Sequence, residues 1–213
     1  MKINNKEIIE YDNFLTDEDF NDLCSLKLEE VEKDKIQVNA NTIDKYGKIN
    51  CSCISEDLMK RLHNNCHTKA MKLLAKLSHE KVALYDHSEF YIIQTGANYS
   101  FPIHDDVSKK LLSGVIYLKP KENAGTFFHK NKKGEGTFEV TWKPNKGVFF
   151  SRAEKETWHS YKGDGKSNRF VLVYNLMTDN QKEVYNIEKK SYFIGSLRSK
   201  INHYLFRFFK KLI

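Results

Sequence analysis

The chain has 213 residues, 40% of them hydrophobic and 13% aromatic, which is enough for one large domain with a sizeable core and excludes disordered and fibrous classes. The formal net charge of +7 sits wholly in residues 189–213, where Lys189, Lys190, Arg198, Lys200, Arg207, Lys210 and Lys211 stand without one acid. Residues 1–188 are formally neutral. A folded body with no basic surplus argues against nucleic acid as a partner.

The four cysteines, Cys24, Cys51, Cys53 and Cys66, form no Cys-x-x-Cys pair and are expected to be reduced thiols. Residues 1–10 lack the apolar run and small-residue cleavage site of a secretory leader. No stretch approaches the roughly eighteen apolar residues of a spanning helix. A soluble, cytoplasmic protein is therefore expected.

In chain order, residues 7–15 read as a short strand and turn. Thr16, followed by Asp17, Glu18 and Asp19, is an N-cap ahead of an acidic first turn, so a helix is expected from there to about Leu26. Residues 29–50 are polar with little period and read as loop or weak strand. Ser55 caps a second helix, in which Leu58, Leu62, Cys66, Ala70 and Leu74 recur every four residues and Met59, Leu73 and Leu77 widen the stripe. From Val82 onward the texture changes to short β-branched and aromatic runs at 90–95, 112–118, 125–129, 137–142, 147–150, 156–161 and 169–175. Turn clusters at 131–136, 144–147 and 163–165 separate them. Strands at this spacing with no helices between them predict an antiparallel sandwich or barrel within an α+β domain.

Residues 1–188 are thus expected to form one domain, with support helices within 16–79 and a barrel at about 82–176. Residues 189–213 form a basic amphipathic tail in which Leu197, Ile201, Leu205, Phe208 and Leu212 step at helical spacing. That tail can cover a flank of the barrel, contact a second protomer in a homodimer, or lie on an anionic membrane surface. Phe206, Phe208 and Phe209 do not keep to a clean stripe, which favours packing or dimerisation over the membrane.

Chemistry concentrates in residues 101–106. On extended backbone, residues two apart share a side, so His104 and Asp106 can face one ion while Asp105 points away. Downstream, Trp158-His159 follows an apolar strand, and Arg169 opens another strand ten residues later. A second histidine on a late strand completes a two-His-one-carboxylate set, which leaves three adjacent sites open on an octahedral ion. A rival spacing, His63 and His67 beside Cys66, can chelate zinc. Asn64 stands where a zinc protease needs its glutamate, so these read as exposed helix histidines. Cys51 and Cys53 read as free thiols.

Seven segments, in order and spacing, resemble the Fe(II)/2-oxoglutarate-dependent dioxygenases, in their prolyl 4-hydroxylase-like branch, over most of the chain. They are Asp12-Asn-Phe-Leu-Thr16, Tyr99…His104-x-Asp106, Gly114-Val-Ile-Tyr117-Leu118, Ala124-Gly125-Thr-Phe127, Pro144-Asn-Lys-Gly147-Val-Phe-Phe150, Trp158-His159 and Asn168-Arg169-Phe170. The resemblance implies a double-stranded β-helix, a jelly-roll barrel, braced by the N-terminal helices and followed here by the basic C-terminal helix. It implies Fe(II) on His104, Asp106 and His159, and Arg169 paired with the distal carboxylate of 2-oxoglutarate, for which a bidentate guanidinium is well shaped. It also implies that the Tyr117 hydroxyl shares that carboxylate. Gln94 stands near a position where the family often has tyrosine, and its amide is expected to bond the cosubstrate; Tyr99 is a pocket-wall position. The implied reaction consumes O2 and 2-oxoglutarate, releases succinate and CO2, and hydroxylates a substrate C–H bond, with ascorbate as a possible accessory. The branch points to a peptidyl proline in a peptide or protein, with a small metabolite as the alternative substrate. A non-catalytic cupin-like binding module and a scaffold acting through its basic tail are the competing readings. The two expected specificity loops, around 30–50 and 130–136, carry no decodable pattern.

Overall fold

Both expected helices begin at their caps. In this computed structural model, which describes residues 1–198 and 201, the Thr16 hydroxyl accepts the Asp19 N–H at 3.2 Å and starts α1 (Asp17–Ser25). The Ser55 hydroxyl accepts the Leu58 N–H at 3.2 Å and starts α2 (Glu56–Leu77). The α2 stripe of Met59, Leu62, Cys66, Ala70, Leu73 and Leu74 is buried. Arg61 of α2 ties the two helices together through Glu18, Asp19 and Asp22.

Thirteen strands among the described residues build the rest: β1 (Lys2–Ile3), β2 (Lys6–Glu7), β3 (Ile9–Tyr11), β4 (Ile36–Asp44), β5 (Ile49–Asn50), β6 (His87–Thr95), β7 (Ser100–His104), β8 (Lys110–Lys119), β9 (Thr126–His129), β10 (Phe138–Val140), β11 (Gly147–Phe150), β12 (Trp158–Lys162) and β13 (Arg169–Met177). All pairings are antiparallel. One sheet has seven strands in the order β3-β11-β8-β13-β6-β4-β5, a second has four in the order β10-β9-β12-β7, and β1 pairs with β2. The arrangement is jelly-roll-like.

Strand alternation divides the core in two. On β13, Phe170, Leu172 and Tyr174 join the α2 stripe, Phe90, Ile92, Leu112 and Ile116 in a helix-side core. Val171 turns to the other face and joins Tyr117, Phe128, Val140, Trp142, Val148 and Phe150 between the sheets. Gly114 lets β8 pass close to its neighbours, since a β-carbon there would lie 2.4 Å from the Phe149 ring.

The structure departs from the sequence reading in three places. Residues 36–44, expected as loop or weak strand, form the nine-residue strand β4, paired with β6 along its whole length. The usual alternation fails in its first half, although Ile43 further on is buried. Ile36 and Val38 are exposed, whereas Asn41 is fully buried, donating to the Phe90 carbonyl at 3.0 Å and accepting the Ser52 N–H at 2.9 Å. His63 and His67, expected on an exposed helix face, are half-buried; their rings stack at 4.6 Å, and His67 packs against Tyr85. A further helix, α3 (Gln181–Ile187), anchors Val184 and Tyr185 in the interior and is capped by Asn180. Residues 192–198 and 201 are helical; the rest of the basic tail lies outside the described residues. Among the described residues no helix is long and apolar enough to cross a membrane.

Candidate metal centre and anion pocket

β7 ends at His104 and β12 opens with Trp158-His159, and their pairing sets His159 directly opposite His104, with ring centroids 4.2 Å apart. His104 Nδ1 lies 3.0 Å from the Pro102 carbonyl oxygen, and His159 Nδ1 lies 3.0 Å from that of Thr157. A carbonyl only accepts, so each Nδ1 carries a proton, which leaves each Nε2 as the nitrogen able to meet a ligand. Asp106 Oδ2 is 3.9 Å from His159 Nε2, and ligand atoms of His104, Asp106 and His159 all lie within 4.8 Å of one another. Asp105 points away, as its position between them on extended backbone predicts, and accepts the Lys155 N–H at 2.9 Å.

Charge and protonation suit a divalent cation. Burial, with His159 beside it, pushes the His104 pKa down to about 3, so the imidazole is neutral at pH 7. Burial alone would raise the Asp106 carboxyl, but Lys110, His159 and His104 outweigh it and hold the group below the ordinary carboxylate range. Asp106 Oδ1 receives the Lys110 ammonium at 2.7 Å, and Ser113 Oγ donates to Oδ2 at 2.5 Å. These contacts fix the rotation of the carboxylate. Two imidazoles and one oriented carboxylate on one side of a cavity are the donor set of a facial Fe(II) site, so the residues present fit that metal.

The cavity lies between the sheets, has a volume of about 200 Å³, and is walled by His104, Asp106 and His159 together with Arg169, Val171 and Val173 of β13. Arg169 is 6% exposed, and no acidic group among the described residues pairs with it. Instead Cζ lies 3.9 Å from the Tyr161 ring centroid, 5.6 Å from that of Tyr117 and 5.7 Å from that of Trp142. Its Nε is buried without a hydrogen-bond partner. Burial lowers the Arg169 pKa, yet an arginine keeps its proton in proteins. A buried cation that lacks an anion carries an unrelieved desolvation cost, so this end of the cavity is built for an anionic ligand.

Tyr117 stands behind Arg169, stacked on Trp142 with ring centroids 4.5 Å apart. Its hydroxyl donates to Thr126 Oγ1 at 3.0 Å and accepts the Thr126 N–H at 2.9 Å, and Thr126 rather than Tyr117 lines the cavity. Gln94 requires a correction. On β6 the odd residues Tyr91, Ile93 and Thr95 line the cavity, so strand alternation turns Gln94 to the opposite face, away from the expected cosubstrate contact. Tyr99, just before β7, lies in the cavity wall, as does Phe101 of β7.

Several residues of the site were not singled out from the sequence. Tyr161 was accessible to the same spacing argument as His104 and Asp106, being two residues beyond His159. Lys110, Ser113 and Asn175 were not, because only the strand register brings Ser113 opposite Asn175 and next to Asp106. Asn175 is fully buried in the cavity wall; its Nδ2 donates to Glu89 Oε2 at 3.1 Å, which leaves Oδ1 as an acceptor without a partner.

No family model and no curated protein matches the chain. Solved structures do. A prolyl-4-hydroxylase of Pseudomonas putida superposes with a TM-score of 0.51 at 14% identity, covering 81% of this chain and 93% of its own. A 2OG-Fe(II) oxygenase family oxidoreductase of Burkholderia pseudomallei gives 0.56 at 12% identity, covering 80% and 84%. A prolyl hydroxylase of Trichoplax adhaerens, in complex with a hypoxia inducible factor oxygen degradation domain peptide fragment, gives 0.55 at 12% identity, covering 85% and 88%. The chain shares the fold of these solved 2OG-Fe(II) oxygenase and prolyl hydroxylase structures.

Proposed function

We propose that this protein is an Fe(II)- and 2-oxoglutarate-dependent oxygenase that hydroxylates an unactivated C–H bond. The observation that carries the reading is the convergence, in one cavity, of the His104, Asp106 and His159 ligand atoms with the uncompensated cation of Arg169. A metal triad alone fits many activities. A metal triad facing a buried guanidinium fits a cosubstrate that chelates metal at one end and carries a carboxylate at the other.

In this reading His104, Asp106 and His159 hold Fe(II), and Arg169 binds the distal carboxylate of 2-oxoglutarate. Fe(II) held there would supply, with O2 and 2-oxoglutarate, the oxidising power, with succinate and CO2 as the co-products. The chain supplies the rest. Lys110 and Ser113 keep the Asp106 carboxylate turned toward the histidines, and the Tyr161, Tyr117 and Trp142 rings hold the Arg169 plane. The Tyr117 hydroxyl, with its proton on Thr126, supports Arg169 from behind and joins the carboxylate only by exchanging that bond.

A peptidyl proline is the first substrate to test, because two structural neighbours are named as prolyl hydroxylases and one of them holds a peptide. Ile36, Tyr91 and Ile93 offer an apolar wall for an aliphatic ring, and Asn175 Oδ1 offers an acceptor for a substrate N–H or O–H. The four free cysteines fit action in the reducing cytoplasm. The test is a 2-oxoglutarate turnover assay over free proline, proline-containing peptides and a metabolite pool, reading succinate and product mass. The expected result is succinate formed in step with a product heavier by one oxygen atom; an iron-loaded protein that consumes no 2-oxoglutarate with any of them contradicts the proposal.

A further inference from the structure

The basic segment after α3 folds back onto the loops that carry the metal ligands. Gly195, within helical residues 192–198, lies flush on Tyr185 of α3; a β-carbon there would stand 2.2 Å from Cζ of the ring. Tyr192 meets the same ring edge-on at 5.9 Å. This approach delivers Arg198 to the metal loops. Its Nη2 donates to Asp105 Oδ1 at 2.6 Å, and its Nη1 donates to Asp105 Oδ2 at 3.1 Å and to Glu154 Oε1 at 3.2 Å. The guanidinium also lies 5.5 Å from the Trp158 ring centroid. Side-chain exposure is 14% for Arg198 and 6% for each acid, so these pairs are shielded from solvent screening.

The two acids and the ring that Arg198 meets here belong to the segments that carry the metal ligands. Asp105 lies between His104 and Asp106, and Trp158 precedes His159. Glu154 belongs to the loop that delivers His159, and Lys155 of that loop donates its N–H to Asp105. A second layer continues the connection: Glu188, just after α3, bonds Lys81 at 2.8 Å, Arg152, and the Glu154 N–H at 3.1 Å. Arg152 Nε in turn donates to the Asp106 carbonyl at 3.2 Å.

We propose that residues 191–198 are a latch, and that Arg198 is a positioning residue holding loops 104–106 and 154–159 at the separation a divalent cation requires. The proposal rests on His104, Asp106 and His159 being a metal centre and goes beyond it. Ligands on two different strands bind a cation well only when their separation is set beforehand, and the groups that set it act at the level of outer-shell partners. Linkage makes the effect reciprocal: a latch that favours metal binding is itself tightened by metal.

Co(II), a spectroscopic substitute for Fe(II), tests this on the full chain through its visible absorption and needs no substrate. Arg198→Ala is expected to raise the Co(II) dissociation constant by about 10-fold. Gly195→Val, remote from the ligands, is expected to do the same by lifting the segment off Tyr185, and Arg198→Lys to fall between. In the unmodified protein, saturating Co(II) is expected to slow amide hydrogen exchange in residues 192–198, a measurement that survives any failure of the variants to fold. A folded Arg198→Ala protein with unchanged Co(II) affinity, or exchange in 192–198 indifferent to Co(II), overturns the latch while leaving the metal centre standing. A full chain that takes up no Co(II) overturns the metal centre and the latch with it.

Discussion

Arg169 shows how one side chain can be a local liability and a binding device at once. Its guanidinium is surrounded by three aromatic rings and meets no carboxylate among the described residues, so the ligand-free protein bears the desolvation of that charge. Arg169→Met is accordingly expected to leave the ligand-free protein as stable or more stable, by about 1 kcal/mol in urea unfolding. The same variant is expected to lose at least about 2 kcal/mol of 2-oxoglutarate affinity, read by calorimetry on the Co(II)-loaded protein. Loss of stability together with undiminished affinity would show that Arg169 is an ordinary structural arginine. At this scale the convergence of His104 and Asp106 was legible, because two-residue spacing on extended backbone is a local rule that they obey. Gln94 was placed wrongly by likeness of position, where the alternation of Tyr91, Ile93 and Thr95 decides its direction. The support of Asp106 by Lys110 and Ser113 depends on how β7, β8 and β13 come together, and no local pattern encodes that.

At the scale of elements, α2 rests on the seven-stranded sheet through a seam that contains His63 and His67. Burial, with His67 beside it, pushes the His63 pKa down to about 4, and burial lowers that of His67 as well. In the unfolded chain both titrate near the ordinary histidine value of about 6.5, so below that pH the unfolded state binds more protons than the folded one. Stability is therefore expected to fall as pH drops from about 6.5 toward 4, and His63→Leu to flatten that slope. An unchanged slope in the variant would remove His63 from the account. The caps at Thr16 and Ser55 and the α2 stripe were legible because they are local or strictly periodic. β4 was not: its apolar Ile36 and Val38 are exposed and its buried Asn41 is polar, so pattern and burial run opposite to the usual rule. The short α3, with two interior anchors, offers too few periodic positions to be read.

Over the whole molecule, two antiparallel sheets hold histidines from β7 and β12 and an arginine from β13 around one cavity, with helices bracing the larger sheet from outside. Solved structures share the fold at 12–14% identity, so the frame itself makes few demands on sequence. Charge is arranged on the same scale. The tail that holds the entire net charge sends Arg198 to Asp105 and Glu154, and Lys190 to Glu156 at 3.4 Å, so part of its basic character is neutralised by the body it follows. That use of the tail was invisible in the sequence, where its charge marked it only as separate in character.

The central claim is tested most directly by adding Fe(II) and 2-oxoglutarate to the intact protein without oxygen and recording the visible spectrum. The account predicts a weak charge-transfer band that is lost in Asp106→Ala and needs more 2-oxoglutarate to form in Arg169→Met. No band in the intact protein, or an undiminished band in Asp106→Ala, contradicts it.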